Sequence, residues 1–276
     1  MVKDGVRRNK AGDLQRFACR DCGKLFSVNV GFERMKHDPK AITTALQLYF
    51  SGESLRNTQK SLRLIGADVS HQTIYNWIRK YVGLMGKYLD TITPQVSDTW
   101  RADEVYVKFR GNMKYVFAMM DDETRFWIAQ EVADTKRKHN PTKLFFQSMR
   151  KADKVPATLI TDGLQGYHRA WKFVYAWRTT PYKTPEHIRG ITLKGKIHNN
   201  KMERMNGELR DREKVMRGLK TTDTPILKGY QIYHNFVRPH EALKGKTPAD
   251  LAGIKVHGSD KWLTIIQNAT RKAKTG

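Results

Sequence analysis

The chain has 276 residues, enough for one large domain or two smaller ones with real cores. Lys and Arg total 51 against 27 Asp and Glu, and a formal charge of +24 points to a polyanionic partner, nucleic acid first. Hydrophobic residues at 39% and aromatics at 10% exclude a basic disordered polymer, and no run approaches the roughly 18 to 20 apolar residues of a membrane span.

Residues 1–38 begin MVKDGVRRNK, which lacks the apolar segment of a secretory leader. Their middle reads DLQRFACRDCGKLFS. The CRDCG element is a tight turn that can aim the thiolates of Cys19 and Cys22 inward, as one half of a zinc knuckle. Tetrahedral zinc takes four ligands and this segment supplies two, so it reads as a small β-hairpin with at most half a zinc site. His37 is the nearest further donor, and it is distant. Two cysteines cannot build a disulfide framework, and a reducing cytoplasm fits.

Residues 39–83 read as helical throughout. Pro39 can open a first helix carrying Ile42, Leu46, Tyr49 and Phe50. Ser54 caps a second from Leu55 to Leu64, Gly66 turns the chain, and Ser70 caps HQTIYNWIRKYV. Ile74, Trp77, Ile78 and Tyr81 form the buried stripe of the third helix. His71, Gln72, Asn76, Arg79 and Lys80 form its exposed face. Two short helices, a glycine turn and a capped third helix make the helix-turn-helix pattern, and such side chains suit base edges and phosphates. The plain alternative is a three-helix bundle. Residues 84–98 have weak periodicity and contain Pro94, and read as a linker.

From Trp100 the pattern becomes alternating. WRADEVYVKF, MKYVFAMMD and TRFWIAQEV are three strands joined by turns at Gly111-Asn112 and Asp121-Asp122, an antiparallel meander. A helix from Pro141 to about Lys151, the apolar strand ATLIT, a helix from Gly166 to Trp171 and a fifth strand FVYAW follow. HNNKMERMNGELRDREKVMRGLK, residues 198–220, is a basic helix. The order β-β-β-α-β-α-β-α is that of an α/β domain over residues 99–256. Residues 257–276 read as a basic, weakly ordered tail.

Three carboxylates stand out. Asp103 lies on the apolar face of the first strand of the meander, a costly place unless a metal or donors hold it. Asp162 ends a buried strand, the usual site position in an open α/β sheet. Glu203 lies near the start of the basic helix, on one face with Asn206, Gly207 and Arg210. Taken singly, Asp103 is explained equally well as a residue beside a turn, Asp162 as a turn cap, and Glu203 as an ion-pair partner of Arg204 or Arg210. Taken together, three converging carboxylates suit hard divalent cations.

WRADEVYVK, LITDGLQGY, NNKMERMNGELRDREKVMRGLK and NFVRPHEALKGKTPADLAG resemble the successive motifs of DDE-type insertion-sequence transposases with an integrase-like core. The N-terminal half ribbon and helix-turn-helix extend the resemblance over most of the chain. The resemblance implies a ribonuclease H-like mixed sheet, and it maps the three catalytic acids onto Asp103, Asp162 and Glu203. Glu104 and Glu208 compete for those places, but alternation points Glu104 to the opposite face and Glu208 lies more than a turn further along its helix. Two Mg²⁺ ions, with Mn²⁺ as a substitute, would be bound by the three acids. Lys201, Arg204, Arg210, Arg212, Lys214 and Arg217 would hold phosphates, and the helix-turn-helix would select sequence. His198 and His240 are candidates to orient water or phosphate, more often simply packed, while Trp171, Tyr175 and Trp177 read as core. Expected partners are double-stranded DNA, both element ends and target, and at least a second copy of the chain, in the cytoplasm at the nucleoid. A helix-turn-helix regulator with an inactive core and a hybrid-cleaving ribonuclease H-like enzyme are the rival readings.

Overall fold

The computed structural model describes residues 1–9, 12–27, 30–33, 35–134, 139–176, 184–189, 200–216 and 224–275. The chain divides into two compact units, Met1–Leu89 with Val256–Gly276, and Asp90–Lys255.

In the first unit, β1 (Val2–Asn9), β2 (Gly12–Ala18) and β3 (Leu25–Ser27) form an antiparallel sheet in that order. The expected hairpin thus gains a third strand. The CRDCG turn sends the chain back along β2, with Gly23 at φ 67° donating to the Cys19 carbonyl and Cys19 N–H donating to the Lys24 carbonyl. Then come α1 (Pro39–Ser51), α2 (Leu55–Leu64) and α3 (His71–Asp90). Each begins at a polar cap. Asp38, Ser54 and Ser70 accept from the N–H groups of Lys40, Asn57 and Thr73 at 2.7, 3.1 and 3.1 Å.

Two expectations are corrected in this unit. The linker read over 84–98 begins later, because α3 keeps its buried stripe through Met85 and Leu89 to Asp90. Gly83 and Gly86 blurred that stripe in the sequence. The tail read over 257–276 contains a packed helix, α9 (Lys261–Thr275), which buries Trp262, Ile265, Ile266 and Ala269 at i, i+3, i+4 and i+7. Trp262 stacks on Phe50 at 5.5 Å and donates to Gln47 Oε1 at 3.0 Å, while Thr43 Oγ1 donates to Asp260 at 2.6 Å.

The second unit is built on a five-stranded sheet in the order β6-β5-β4-β7-β8. Its strands are β4 (Thr99–Phe109), β5 (Asn112–Asp121), β6 (Trp127–Ala133), β7 (Thr158–Thr161) and β8 (Glu186–Arg189). The first three are the antiparallel meander, and β7 and β8 run parallel to β4. On one face, α5 (Gln165–Trp171) brings Tyr167 onto Phe117, and α4 (His139–Ala152) stacks Phe145 on Tyr167. On the other, α6 (Asn200–Met216) buries Met202, Met205 and Leu209. This is the ribonuclease H-like mixed sheet with flanking helices.

The fifth strand is not FVYAW. Lys172–Ala176 continues α5 as a π-helical turn, burying Val174 and Tyr175 and exposing Phe173, and β8 takes the strand position. A short apolar run does not distinguish a strand from a buried helical turn. Beyond α6 come α7 (Pro225–Ile232), a π-helical turn over Tyr233–Val237, and α8 (Pro248–Leu251). Asn235 accepts from Trp127 N–H at 2.8 Å and donates to the Trp127 carbonyl at 2.9 Å, clamping the start of β6. Among the described residues, no helix is long and apolar enough to cross a membrane.

Candidate active site

The parallel ladder between β4 and β7 ends where Ala102 faces Thr161. The next residue on each strand is a carboxylate, Asp103 and Asp162. Past the end of β7, that edge of β4 is uncovered, and side chains from both of its faces can reach the gap. Carboxylate oxygens of Asp103, Glu104 and Asp162 lie within 4.8 Å of one another there. The alternation that assigned Glu104 to the wrong face is therefore corrected. Its Cβ leaves on the face opposite Asp103, but its longer side chain arrives at the same gap, 8% exposed. The cue in the sequence was the short β7 segment, whose end frees both faces of the neighbouring strand.

Local hydrogen bonds fix two of these groups. Asp162 Oδ1 accepts from Leu164 N–H at 3.0 Å, turning the chain from β7 into α5. Asp103 Oδ1 accepts from Glu104 N–H at 2.9 Å, and Oδ2 accepts from Asn206 Nδ2 at 3.0 Å. Burial pushes the Asp103 carboxyl up to about 7. The Glu104 amide opposes this, and the charges of Glu104, Asp162 and Glu203 add to it. Tyr167 is fully buried beside them. Burial, then the same carboxylates, raises its hydroxyl well above the usual phenolic range.

Asn206 and Glu203 come from one face of α6, three residues apart. Glu203 is exposed in the first turn of the helix, and its charge acts on Asp103. It lies outside the group of oxygens within 4.8 Å. Among the described residues it forms no ion pair, so neither Arg204 nor Arg210 holds it. Glu208 is engaged elsewhere. Arg238 pairs with it, and the Tyr230 hydroxyl donates to it at 3.3 Å.

The donor set fits a hard divalent cation. It is carboxylate oxygen, partly desolvated, with charges that repel one another until a cation joins them. Asn206 adds a further oxygen: its Oδ1 is buried and has no hydrogen-bond partner among the described residues.

The other residues singled out from the sequence are dispersed. His71, Gln72, Asn76, Arg79 and Lys80 are all exposed on α3, in the first unit. On α6, Arg204, Arg210 and Lys214 are exposed, Lys214 beside Asp211 at 3.0 Å. Lys201 instead reaches Asp122 at 2.8 Å, and Arg212 is buried at 6% exposure, so neither faces solvent as a phosphate contact would. Arg217, His198 and Trp177 lie outside the described residues. His240 is buried, with Nε2 against the His234 carbonyl at 3.1 Å, a packed rather than a water-facing histidine. Tyr175 is core, and Trp171 donates to the Pro185 carbonyl at 3.1 Å. Backbone N–H groups of Cys22 and Asp21 lower the Cys19 thiol, as in a knuckle. Asp21 Oδ2 lies 3.9 Å from Cys19 Sγ, but among the described residues no group of three mutually close His, Cys, Asp or Glu donors includes Cys19 and Cys22.

A ribonuclease H-like sheet thus gathers carboxylates where its central parallel pair ends. The chain belongs to the DDE insertion-sequence transposases: the IS240-type DDE domain matches residues 97–240, just over half of its length. Two transposases of Staphylococcus aureus, for insertion sequence-like element IS431mec and for IS257 in transposon Tn4003, are each 25% identical over 135 residues. The match covers 48% of this chain and 58% of theirs, so the chain spans little more than half the length of these curated relatives. Among solved structures, the HTLV-2 integrase catalytic core domain in complex with magnesium is 16% identical with a TM-score of 0.41, over 58% of this chain and 98% of that one. A simian T-cell lymphotropic virus intasome in complex with a PP2A regulatory subunit is 13% identical with a TM-score of 0.44, over 77% and 75%.

Proposed function

We propose that this protein is a DNA transposase that binds the ends of its own insertion sequence, cuts a strand there and joins the freed 3′ end to target DNA. The observation that carries this reading is the convergence of Asp103 and Asp162 at the end of the β4–β7 pair, with the charge of Glu203 acting on Asp103. Asp103, Asp162 and Glu203 would hold two Mg²⁺ ions, or Mn²⁺ in their place. Bound divalent ions supply Lewis-acid stabilisation to phosphoryl and leaving oxygens.

The chain's own residues do the rest. The Asn206 amide fixes the Asp103 carboxylate, and the Leu164 N–H fixes that of Asp162. Arg204, Arg210 and Lys214 grip phosphates, which gives affinity that falls with salt and carries little sequence information. The exposed face of α3, with Gln72, Asn76 and Arg79, reads base edges in the major groove. Water attacks the phosphodiester at the element end, and the released 3′-OH then attacks a target phosphodiester, so each step exchanges one P–O bond for another. Holding two ends at once calls for at least a dimer, acting in the cytoplasm where the nucleoid lies.

Asp103→Asn, Asp162→Asn and Glu203→Gln should each abolish Mg²⁺-dependent nicking and joining of end-containing DNA while leaving binding to that DNA intact. Cutting by the triple variant would end this reading. Binding without cutting by the unaltered protein would make it a regulator instead.

A further inference from the structure

Glu104 starts a row of side chains along one face of the β4–β5 hairpin. Alternation places Tyr106 and Lys108 on that face, paired with Tyr115 and Met113 of β5 as Glu104 is paired with Phe117. The rings touch in sequence. Tyr167 meets Phe117 at 5.9 Å, Phe117 meets Tyr115 at 6.3 Å, and Tyr115 meets Tyr106 at 4.7 Å. Burial falls along the row. Tyr167 and Phe117 are closed to solvent, Tyr115 is half-buried, and Tyr106 and Met113 are 40% and 50% exposed. The closed end faces the carboxylates. The open end is an aromatic step beyond the end of β7.

Beyond Phe117, the hairpin is anchored with this face outward. On its other side, α6 buries apolar side chains, and Glu213 Oε1 accepts from Lys108 N–H at 2.5 Å. The Lys108 side chain is itself exposed, as is Arg110 at the hairpin turn. Two residues of strand separate Tyr106 from Glu104, about 7 Å. An exposed ring backed by a half-buried one and flanked by cations, at that distance from a cluster suited to a phosphodiester, matches how proteins hold unpaired nucleotides: stacking for the base and a cation for the backbone.

We infer that Tyr106, backed by Tyr115, is a stacking ledge for an unpaired base of the strand whose phosphate lies at the carboxylates, with Lys108 on a neighbouring phosphate. This rests on the transposase reading, since it supplies the strand. A base inside a duplex has both faces covered by its neighbours, so the ledge favours a frayed or single-stranded end over an intact one. It would hold the end open for attack.

The test uses the full chain in EDTA, so that nothing is cut, and two fluorescent probes: a blunt duplex, and the same duplex with a single-stranded extension. The unaltered protein should bind the extended probe more tightly. Tyr106→Ala should lose roughly 5- to 100-fold on the extended probe, the range for removing one stacking partner, with blunt-duplex affinity unchanged. Tyr106→Phe keeps the ring and should keep the preference, and Lys108→Ala should reduce the salt dependence of binding to the extended probe. If Tyr106→Ala keeps the unaltered protein's ratio of affinities, or if the unaltered protein has no preference, the ledge is refuted while the transposase reading stands. If neither probe is bound, both fall.

Discussion

Asp103 makes a quantitative demand. Its carboxyl is held at about 7 in the folded chain, against an ordinary value of 3.8. A carboxyl with a folded pKa above its unfolded one binds its proton more tightly when folded. Stability without metal is therefore greatest at low pH with respect to this group and is lost as pH rises from about 4 through 7. Each pH unit carries about 1.4 kcal/mol, so the interval from pH 5 to about 7 is worth about 2 to 3 kcal/mol, and partial exposure reduces this to about 2. Asp103→Asn removes the term. In EDTA, denaturant unfolding at pH 5 and pH 8 should show the variant gaining about 2 kcal/mol relative to the unaltered protein at the higher pH. Half-buried His187 and buried His234, whose pKa values desolvation lowers to about 4 and about 3, titrate alike in both proteins and drop out of the difference. Adding Mg²⁺ at pH 8 should then stabilise the unaltered protein and not the variant. Parallel pH profiles for the two proteins would refute the reasoning, because they would mean that the Asp103 carboxylate is no worse off in the fold than in water.

Three further outcomes follow from the packing. Asp121 is closed to solvent and accepts four hydrogen bonds, from the N–H and hydroxyl of Ser97 and of Thr124 at 2.6 to 2.8 Å. Asp121→Ala strands all four donors and should cost about 3 kcal/mol, seen as a drop of roughly 10 °C in the melting temperature of the second unit. Trp262→Ala should cost about 3 to 5 kcal/mol and expose α9 to proteolysis, and equally rapid cleavage of α9 in the unaltered protein would restore the reading of residues 257–276 as a tail. For Asp122, burial acts to raise the carboxyl, but Lys201 and Arg101 outweigh it and hold it low. Its contribution is present above the ordinary carboxylate value and lost as pH falls below it. Asp122→Asn should weaken Mg²⁺ binding in calorimetry by freeing Lys201 toward the cluster, and unchanged affinity would exclude that role.

How much was legible depended on whether a signal was local. Caps and stripes are local, so α1, α2 and the start of α3 could be read from Pro39, Ser54, Ser70 and the apolar spacing. Asp103 and Asp162 could be singled out because a carboxylate in an apolar strand and another at a strand tip are anomalies within a few residues. Glu104 could not be placed, since its access to the gap depends on where a strand more than fifty residues away stops. Lys201 and Arg212 looked like other cations of a basic helix. Only the fold reveals that one is taken by Asp122 and the other is buried. The 172–176 segment is apolar in either conformation, and neighbouring Phe145, 5.7 Å from Tyr175, is part of what decides for the helical turn.

A chain of charge +24 has cations close to its carboxylate cluster, and it keeps several of them occupied. Arg101 stands two residues before Asp103 on β4, and Lys201 two before Glu203 on α6. Both are drawn to Asp122. Arg238, from the RPH segment, is drawn to Glu208, one turn along α6 from Glu203. Had any of these side chains turned inward, it would have neutralised the cluster and returned Asp103 to an ordinary carboxylate. The acids that hold them, Asp122 and Glu208, thus keep these cations paired away from the cluster. They leave Asp103, Glu104 and Asp162 mutually repelling in a partly desolvated gap, an arrangement unfavourable for an empty protein and favourable for one that takes up a divalent ion. The same pairing ties α6 at its middle through Arg238 and at its start through Lys201. The helix bearing Glu203 is therefore fixed against the sheet by ion pairs as well as by Met202, Met205 and Leu209. The basic residues of α6 consequently fall into two groups: Lys201 is tied to Asp122, while Arg204 and Arg210 stay exposed.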